Sequence, residues 1–170
     1  MNIRVITGCR VCGSDKLTSI ISLGDHYVSN FVDSKETGIK SPLELVLCDI
    51  TSGGCGLLQL RHTISGPILY RNYWYKSGLN ESMRRALEDI SHKAEQLVKL
   101  SPGDIVLDIG CNDGTSLRAF KTKNIKLVGF EPASNLISEA EVGTTKIIND
   151  FFNYGAFKKA FGITKARIIT

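Results

Sequence analysis

The chain has 170 residues, 42% apolar and 22% charged, a balance that supports a packed core and excludes general disorder. Its formal net charge of +4 comes from basic residues scattered among acidic ones with no long run, which argues against a nucleic-acid partner. The first residues hold no apolar signal core and no segment approaches the ~20 apolar residues of a membrane span, so a cytoplasmic protein is expected. In that compartment the five cysteines serve as thiols or metal ligands and not as disulfides.

Four of those cysteines fall into two pairs near the start of the chain. Cys9 and Cys12 precede Gly13 and form a tight knuckle; Cys48 and Cys55 follow after 35 intervening residues. A knuckle aims two thiolates at one point, and a second pair completes the four-sulfur tetrahedral shell that a structural zinc prefers. The second pair is wide, with six residues between its cysteines, and Gly53 and Gly54 are placed to fold that excess into a bulged loop. Two unrelated pairs of buried or redox thiols are the alternative. A closed four-thiolate site leaves no open position for catalysis, so zinc here would hold a small module together, contributing on the order of 10 kcal/mol of apparent folding energy. Residues 43–47 and 57–60 read as strands flanking the second pair, which predicts a small β ribbon. His26 and His62 lie near it and are read as ordinary histidines, the ligand set being complete without them.

Residues 64–78 contain the only tryptophan, Trp74, and three of the five tyrosines. Such a run either packs two modules together or lines a binding cleft. Asn80 is placed to cap a helix over 81–99, with Met83, Leu87, Ile90, Ala94, Leu97 and Val98 on its apolar side and His92 toward its polar side. Ser101, Pro102, Gly103 and Asp104 then stop it.

Residues 106–115 (Val-Leu-Asp-Ile-Gly-Cys-Asn-Asp-Gly-Thr) are an apolar strand ending in Asp108 and a loop with Gly110, Asn112, Asp113 and Gly114. The glycines let the backbone turn and approach a ligand, and the carboxylates can accept from an amino group and from ribose hydroxyls. A strand-to-helix joint without a ligand is the bland alternative. A helix over 116–121 and a strand over 126–130 follow. Glu131 then stands 23 residues after Asp108, where an acidic residue can bind both ribose hydroxyls of an adenosine. A helix over 133–141, a strand over 146–148, a helix over 154–161 and a strand over 166–169 complete the pattern. Asp150, in the loop after the third strand, is placed to accept from an adenine amino group, and Phe151 either covers the ring or joins the core. The pattern predicts an α/β fold, a Rossmann-like parallel sheet with strands one, two and three on one side and the fourth opening the other half. A sheet ending on that apolar fourth strand would be left with a bare edge, so the chain is expected to be the N-terminal part of a longer protein.

In this order, the knuckles, residues 55–60, the aromatic residues 73–78, the loop at 106–115 and residues 130–135 (Phe-Glu-Pro-Ala-Ser-Asn) resemble the zinc-containing sugar C-methyltransferases. The resemblance implies a class I methyltransferase sheet, here its N-terminal half with strands one to four, preceded by a small zinc-binding β module. It divides the chain into a zinc module over 1–63, an aromatic linker and helix over 64–104, and a truncated S-adenosylmethionine-binding domain over 105–170. It implies zinc on Cys9, Cys12, Cys48 and Cys55, and S-adenosylmethionine held by Asp108, Gly110, Asn112, Asp113, Gly114, Glu131, Asp150 and Phe151. The substrate it implies is a small molecule, a nucleotide-linked deoxy-keto sugar methylated at a ring carbon after a base removes a proton beside the ketone. The family's histidine and tyrosine base candidates lie largely beyond the fourth strand. Tyr73 and Tyr75 match its aromatic segment near the active site and are candidates to contribute a phenol. Two other classes stay open: a zinc-stabilised module that binds a nucleotide or partner without catalysis, and a nicotinamide-dependent oxidoreductase, against which the absence of a GxGxxG spacing counts.

Overall fold

A computed structural model describes residues 3–28 and 38–170. The chain divides into two compact units, Met1–Leu69 and Tyr70–Thr170.

The first unit is built from short antiparallel pieces. β1 (Ile3–Val5) pairs with β5 (His62–Ile64), and β2 (Leu17–Tyr27), β3 (Lys40–Cys48) and β4 (Leu58–Leu60) form a three-stranded sheet in that order. β2 has no counterpart among the sequence expectations. Its pairing with β3 shifts register between Ser19 and Ile21 and again between Ser22 and Asp25, so bulges break the alternation by which a strand announces itself. β4 reverses the simple reading of its own residues: Leu58 and Leu60 point out, and Gln59 is buried between them. Gln59 Oε1 accepts from the Arg10 main-chain N–H at 3.2 Å and from its guanidinium at 3.1 Å, which satisfies a polar atom at an inward position. α1 (Gly66–Tyr70) leads to the boundary.

The second unit is a parallel four-stranded sheet with helices on both faces. α2 (Glu81–Leu97) precedes β6 (Ile105–Ile109), α3 (Thr115–Arg118), β7 (Lys126–Phe130), α4 (Ile137–Ala140), β8 (Lys146–Ile148), α5 (Tyr154–Phe161) and β9 (Ala166–Ile169). The strand order is β8-β7-β6-β9, so the chain reverses direction across the sheet between β6 and β9, as the pattern of alternating strands and helices predicts. Alternation along β6 feeds two cores. Val106 packs with Leu117, Phe120, Ala140 and Ile168 on one face, and Ile105 and Leu107 pack with Val128, Phe130 and Phe157 on the other.

α2 starts where its cap requires: Asn80 accepts from the Ser82 N–H at 2.9 Å. Its inward face differs from the expected one. Leu87, Ser91, Ala94, Glu95 and Val98 turn inward, while Met83, Ile90 and Leu97 are exposed. The reason is polar. Ser91 Oγ donates to the carbonyl of Ser116 in α3 at 3.0 Å, and Glu95 accepts from the N–H groups of Lys121 and Thr122 in the turn after α3. His92 is half-buried and so departs from the polar-side placement expected of it. The helix expected over 133–141 is shorter, a 3-10 turn at Ser134–Leu136 running into α4.

Candidate metal centre and candidate cofactor loop

Cys9 and Cys12 sit on a turn closed by the Gly13 N–H on the Cys9 carbonyl at 3.0 Å. The six residues between Cys48 and Cys55 hold one 3-10 turn, Ile50–Ser52. Asp49 caps it, accepting from the Thr51 N–H at 2.8 Å, and Gly53 ends it at φ 85, a left-handed conformation that glycine adopts without strain. The Gly56 N–H then returns to the Cys48 carbonyl at 2.9 Å. This is the bulged loop the sequence calls for, and it brings the second pair onto the first.

All four Sγ atoms lie within 4.8 Å of one another, with Cys9 and Cys55 3.6 Å apart and Cys12 and Cys48 3.5 Å apart. Zinc–sulfur bonds of about 2.3 Å in a tetrahedron require sulfurs separated by roughly 3.8 Å, so the donor set fits that ion. The thiols' acidities are pulled apart. Backbone N–H groups of Cys12 and Val11 bring Cys9 down to about 6. The Cys55 N–H also favours the Cys48 thiolate, yet burial and the adjoining cysteines outweigh it and push Cys48 up to about 11. Four crowded sulfurs cannot all ionise without a cation, and a divalent ion supplies the missing charge. His26 is exposed, its Nε2 against the Leu23 carbonyl at 2.9 Å, and neither it nor His62 joins the cluster.

In the second unit the loop after β6 passes through three left-handed positions, Gly110 at φ 82, Asn112 at φ 52 and Gly114 at φ 79. The N–H groups of Gly110 and Cys111 both donate to the Phe130 carbonyl, at 2.8 and 3.1 Å, which ties this loop to the end of β7. Glu131 is nearly buried. Its two oxygens accept from the N–H groups of Asn112 and Ala133, each at 2.7 Å. Asp108 is buried at the end of β6, and its carboxyl is held above the usual range by desolvation and the nearby Glu131 charge, against a hydrogen bond from Thr170. Among the described residues neither Asp108 nor Glu131 has an ion-pair partner.

The remaining predicted residues are engaged with the chain itself. Asp113 accepts from the Thr115 hydroxyl at 2.6 Å and from the Gly78 N–H at 2.6 Å. Asp150 pairs with Arg71 at 3.0 Å and accepts from the Phe151 N–H at 2.8 Å. Phe151 is half-buried, edge-on to Tyr70 with centroids 6.5 Å apart and with the Arg71 guanidinium 5.3 Å from its ring centre, so it belongs to this surface and not to the core. Tyr73 and Tyr75 lie on the same edge through their main chains: Tyr73 N–H donates to Asn135 Oδ1 at 3.0 Å, and the Tyr75 carbonyl accepts from Asn112 Nδ2 at 2.9 Å. Sequence reasoning missed Arg71, Lys76, Asn135 and Glu139, which anchor this segment. Asn135 closes the run at 130–135, and that was its only signal. On the flank of the loop a cleft of about 550 Å³ is lined by Lys76, Arg84, Asp113, Arg118, Lys121 and Glu139 among others.

Residues 9–70 match a family described as "Putative zinc binding domain". That match takes in both cysteine pairs, so the first unit is similar to a zinc-binding domain found in methyltransferases. The chain is also 30% identical over 142 residues to the C-methyltransferase NovU of Streptomyces niveus, an alignment that covers 81% of this chain. The chain spans about a third (33%) of that relative's length. The four clustered thiols therefore lie inside the matched residues, and the similarity to a C-methyltransferase extends well past them. No helix among the described residues is long and apolar enough to cross a membrane.

Proposed function

We propose that the second unit is the methyl-donor half of an S-adenosylmethionine-dependent C-methyltransferase, with a Rossmann-like class I sheet, and that the zinc-binding domain is its structural companion. The observation that carries this reading is the pair of buried, unpaired carboxylates at the carboxyl edge of β6 and β7. Asp108 and Glu131 stand beside a loop of left-handed residues, next to the point where the strand order reverses, which is where open parallel sheets bind ligands. S-adenosylmethionine brings an ammonium and a sulfonium, and positive charge beside Asp108 offsets the desolvation that holds its carboxyl up.

When bound, the donor supplies an electrophilic methyl group. The chain's part is to hold and orient it: Gly110 and Gly114 keep the loop open to close approach, Asp108 faces the ammonium, and the outer lone pairs of Glu131 receive ribose hydroxyls. Asp150 and Phe151 border the adenine side. Tyr73 and Tyr75 stand on the same edge, where a phenol can reach an acceptor. The acceptor under this reading is a nucleotide-linked deoxy-keto sugar methylated at carbon, with the general base supplied by residues after the fourth strand, in a cytoplasmic protein.

Calorimetry with S-adenosylhomocysteine and with NAD, on this chain and on a version extended over the rest of the relative's span, tests the reading. Binding of the homocysteine product by either protein supports it. Binding of NAD, or no binding of the product by both, overturns it.

A further inference from the structure

Residues 70–79 cross the carboxyl edge of the parallel sheet as a strap tied at close intervals. The Arg71 carbonyl accepts from the Ser134 N–H at 3.1 Å, and Tyr73 exchanges two hydrogen bonds with the Asn135 carboxamide at 3.0 and 2.9 Å. Asn112 Nδ2 donates to the Tyr75 carbonyl at 2.9 Å, while its Oδ1 accepts from the Ser77 N–H at 2.9 Å. The Gly78 N–H reaches Asp113. Ion pairs from Arg71 to Asp150 and from Lys76 to Glu139 flank the row. Except at Arg71, the strap's main chain meets side chains where a strand would meet another strand's backbone. A carboxamide suits that task because it carries the same donor and acceptor pair as a peptide unit.

Asn112 holds a conformation, φ 52, that glycine reaches at less cost. Within the turn Asn112 Oδ1 also accepts from the Asp113 N–H at 2.9 Å, but the backbone conformation alone does not call for asparagine. What glycine lacks is the carboxamide, and this one spans two peptide units of the strap. Gly78 gives a second, independent sign that the contact is built. A Cβ there would lie 2.8 Å from Asp113 Oδ2 and 2.9 Å from Thr115 Oγ1, so the strap comes as close to the loop as a bare backbone allows.

We propose that Asn112 is a positioning residue that clamps the strap onto the loop, so that the edge carrying Asp108 and Glu131 and the wall carrying Tyr73, Trp74 and Tyr75 form together. The clamp stands on the ligand-free geometry. Its role in holding a methyl donor rests on the function proposed above.

The test compares Asn112→Gly with Asn124→Gly in the full chain. Asn124 is the other non-glycine residue with positive φ among the described residues, at 59, so it controls for the backbone effect of the same exchange. Without ligand, Asn112→Gly raises amide hydrogen exchange at Ser77 and Gly78 by about tenfold or more and increases acrylamide quenching of Trp74, while Asn124→Gly changes neither. Unchanged exchange in Asn112→Gly overturns the clamp. S-adenosylhomocysteine is then titrated into whichever version, this chain or the extended one, binds it. About tenfold weaker binding by Asn112→Gly supports the positioning role, and equal binding with a released strap overturns it. If neither unmodified version binds, the methyl-donor reading fails and the positioning role with it, while the exchange data still decide the clamp.

Discussion

Asp108 is buried at the end of β6, beside a second carboxylate, with a pKa held above its ordinary value by desolvation first and by Glu131 next. For an acid raised on folding, the native state keeps its proton to higher pH than the unfolded chain does. Stability therefore falls as pH rises from the ordinary aspartate pKa, about 3.9, through the native value, and the loss is complete above it. Asp108→Asn removes that cost. The variant should melt above the parent at pH 7, and the difference should shrink toward zero as the pH is lowered below about 4, as followed by thermal unfolding across that range. A difference independent of pH would show that the gain has another source. The same variant should lose S-adenosylhomocysteine binding, because the charge that destabilises the fold is the one proposed to face an ammonium. A residue that costs stability and serves a ligand is a common arrangement at functional sites.

At the scale of elements, α2 tests how far local rules carry. Asn80 accepts from Ser82 N–H and stands before Glu81, an acidic residue in the first turn. Asn80→Ala should cost about 1 kcal/mol in urea unfolding, while Asn80→Asp should cost little. The position of this cap was legible because capping depends on neighbours in the sequence. So were the bounds of β7, β8, α5 and β9, which follow from short apolar runs between turn residues. The inward face of α2 was legible in part. Counting apolar residues selects Leu87, Ala94 and Val98, which do turn inward, and Met83, Ile90 and Leu97, which do not; the helix instead turns Ser91 and Glu95 inward to meet backbone of α3 and of the turn after it, partners named only by tertiary structure. β2 was hidden by its bulges, and the strap was hidden because its ties are side chain to main chain across the unit. The four thiols were the most legible feature of the site: knuckle chemistry and the glycines after Cys48 placed them before any coordinates did. The acidic residues could be located from spacing, but their burial and lack of ion-pair partners could not.

For the molecule as a whole, the two units hold themselves together by different means. The buried apolar residues concentrate in Tyr70–Thr170, and among the described residues of Met1–Leu69 the only buried apolar ones are Ile6, Cys9, Val46 and Cys48, two of them in the cysteine cluster. Val5, Val11, Ile20, Ile21, Leu23, Leu58 and Leu60 are exposed in the same unit. A four-thiolate zinc would supply a unit of this size and so small a core with on the order of 10 kcal/mol. Metal analysis of the purified chain should find close to one zinc per chain, and Cys9→Ser with Cys12→Ser should abolish it. Chelation should then open the first unit selectively: amide protection in β3 and β4 collapses, while that in β6 and β7 persists because both faces of their sheet are covered. Retained protection in β3 after complete zinc removal would mean that the small sheet stands on its own pairing, and the cysteine cluster would then have to be assigned a role other than holding the fold.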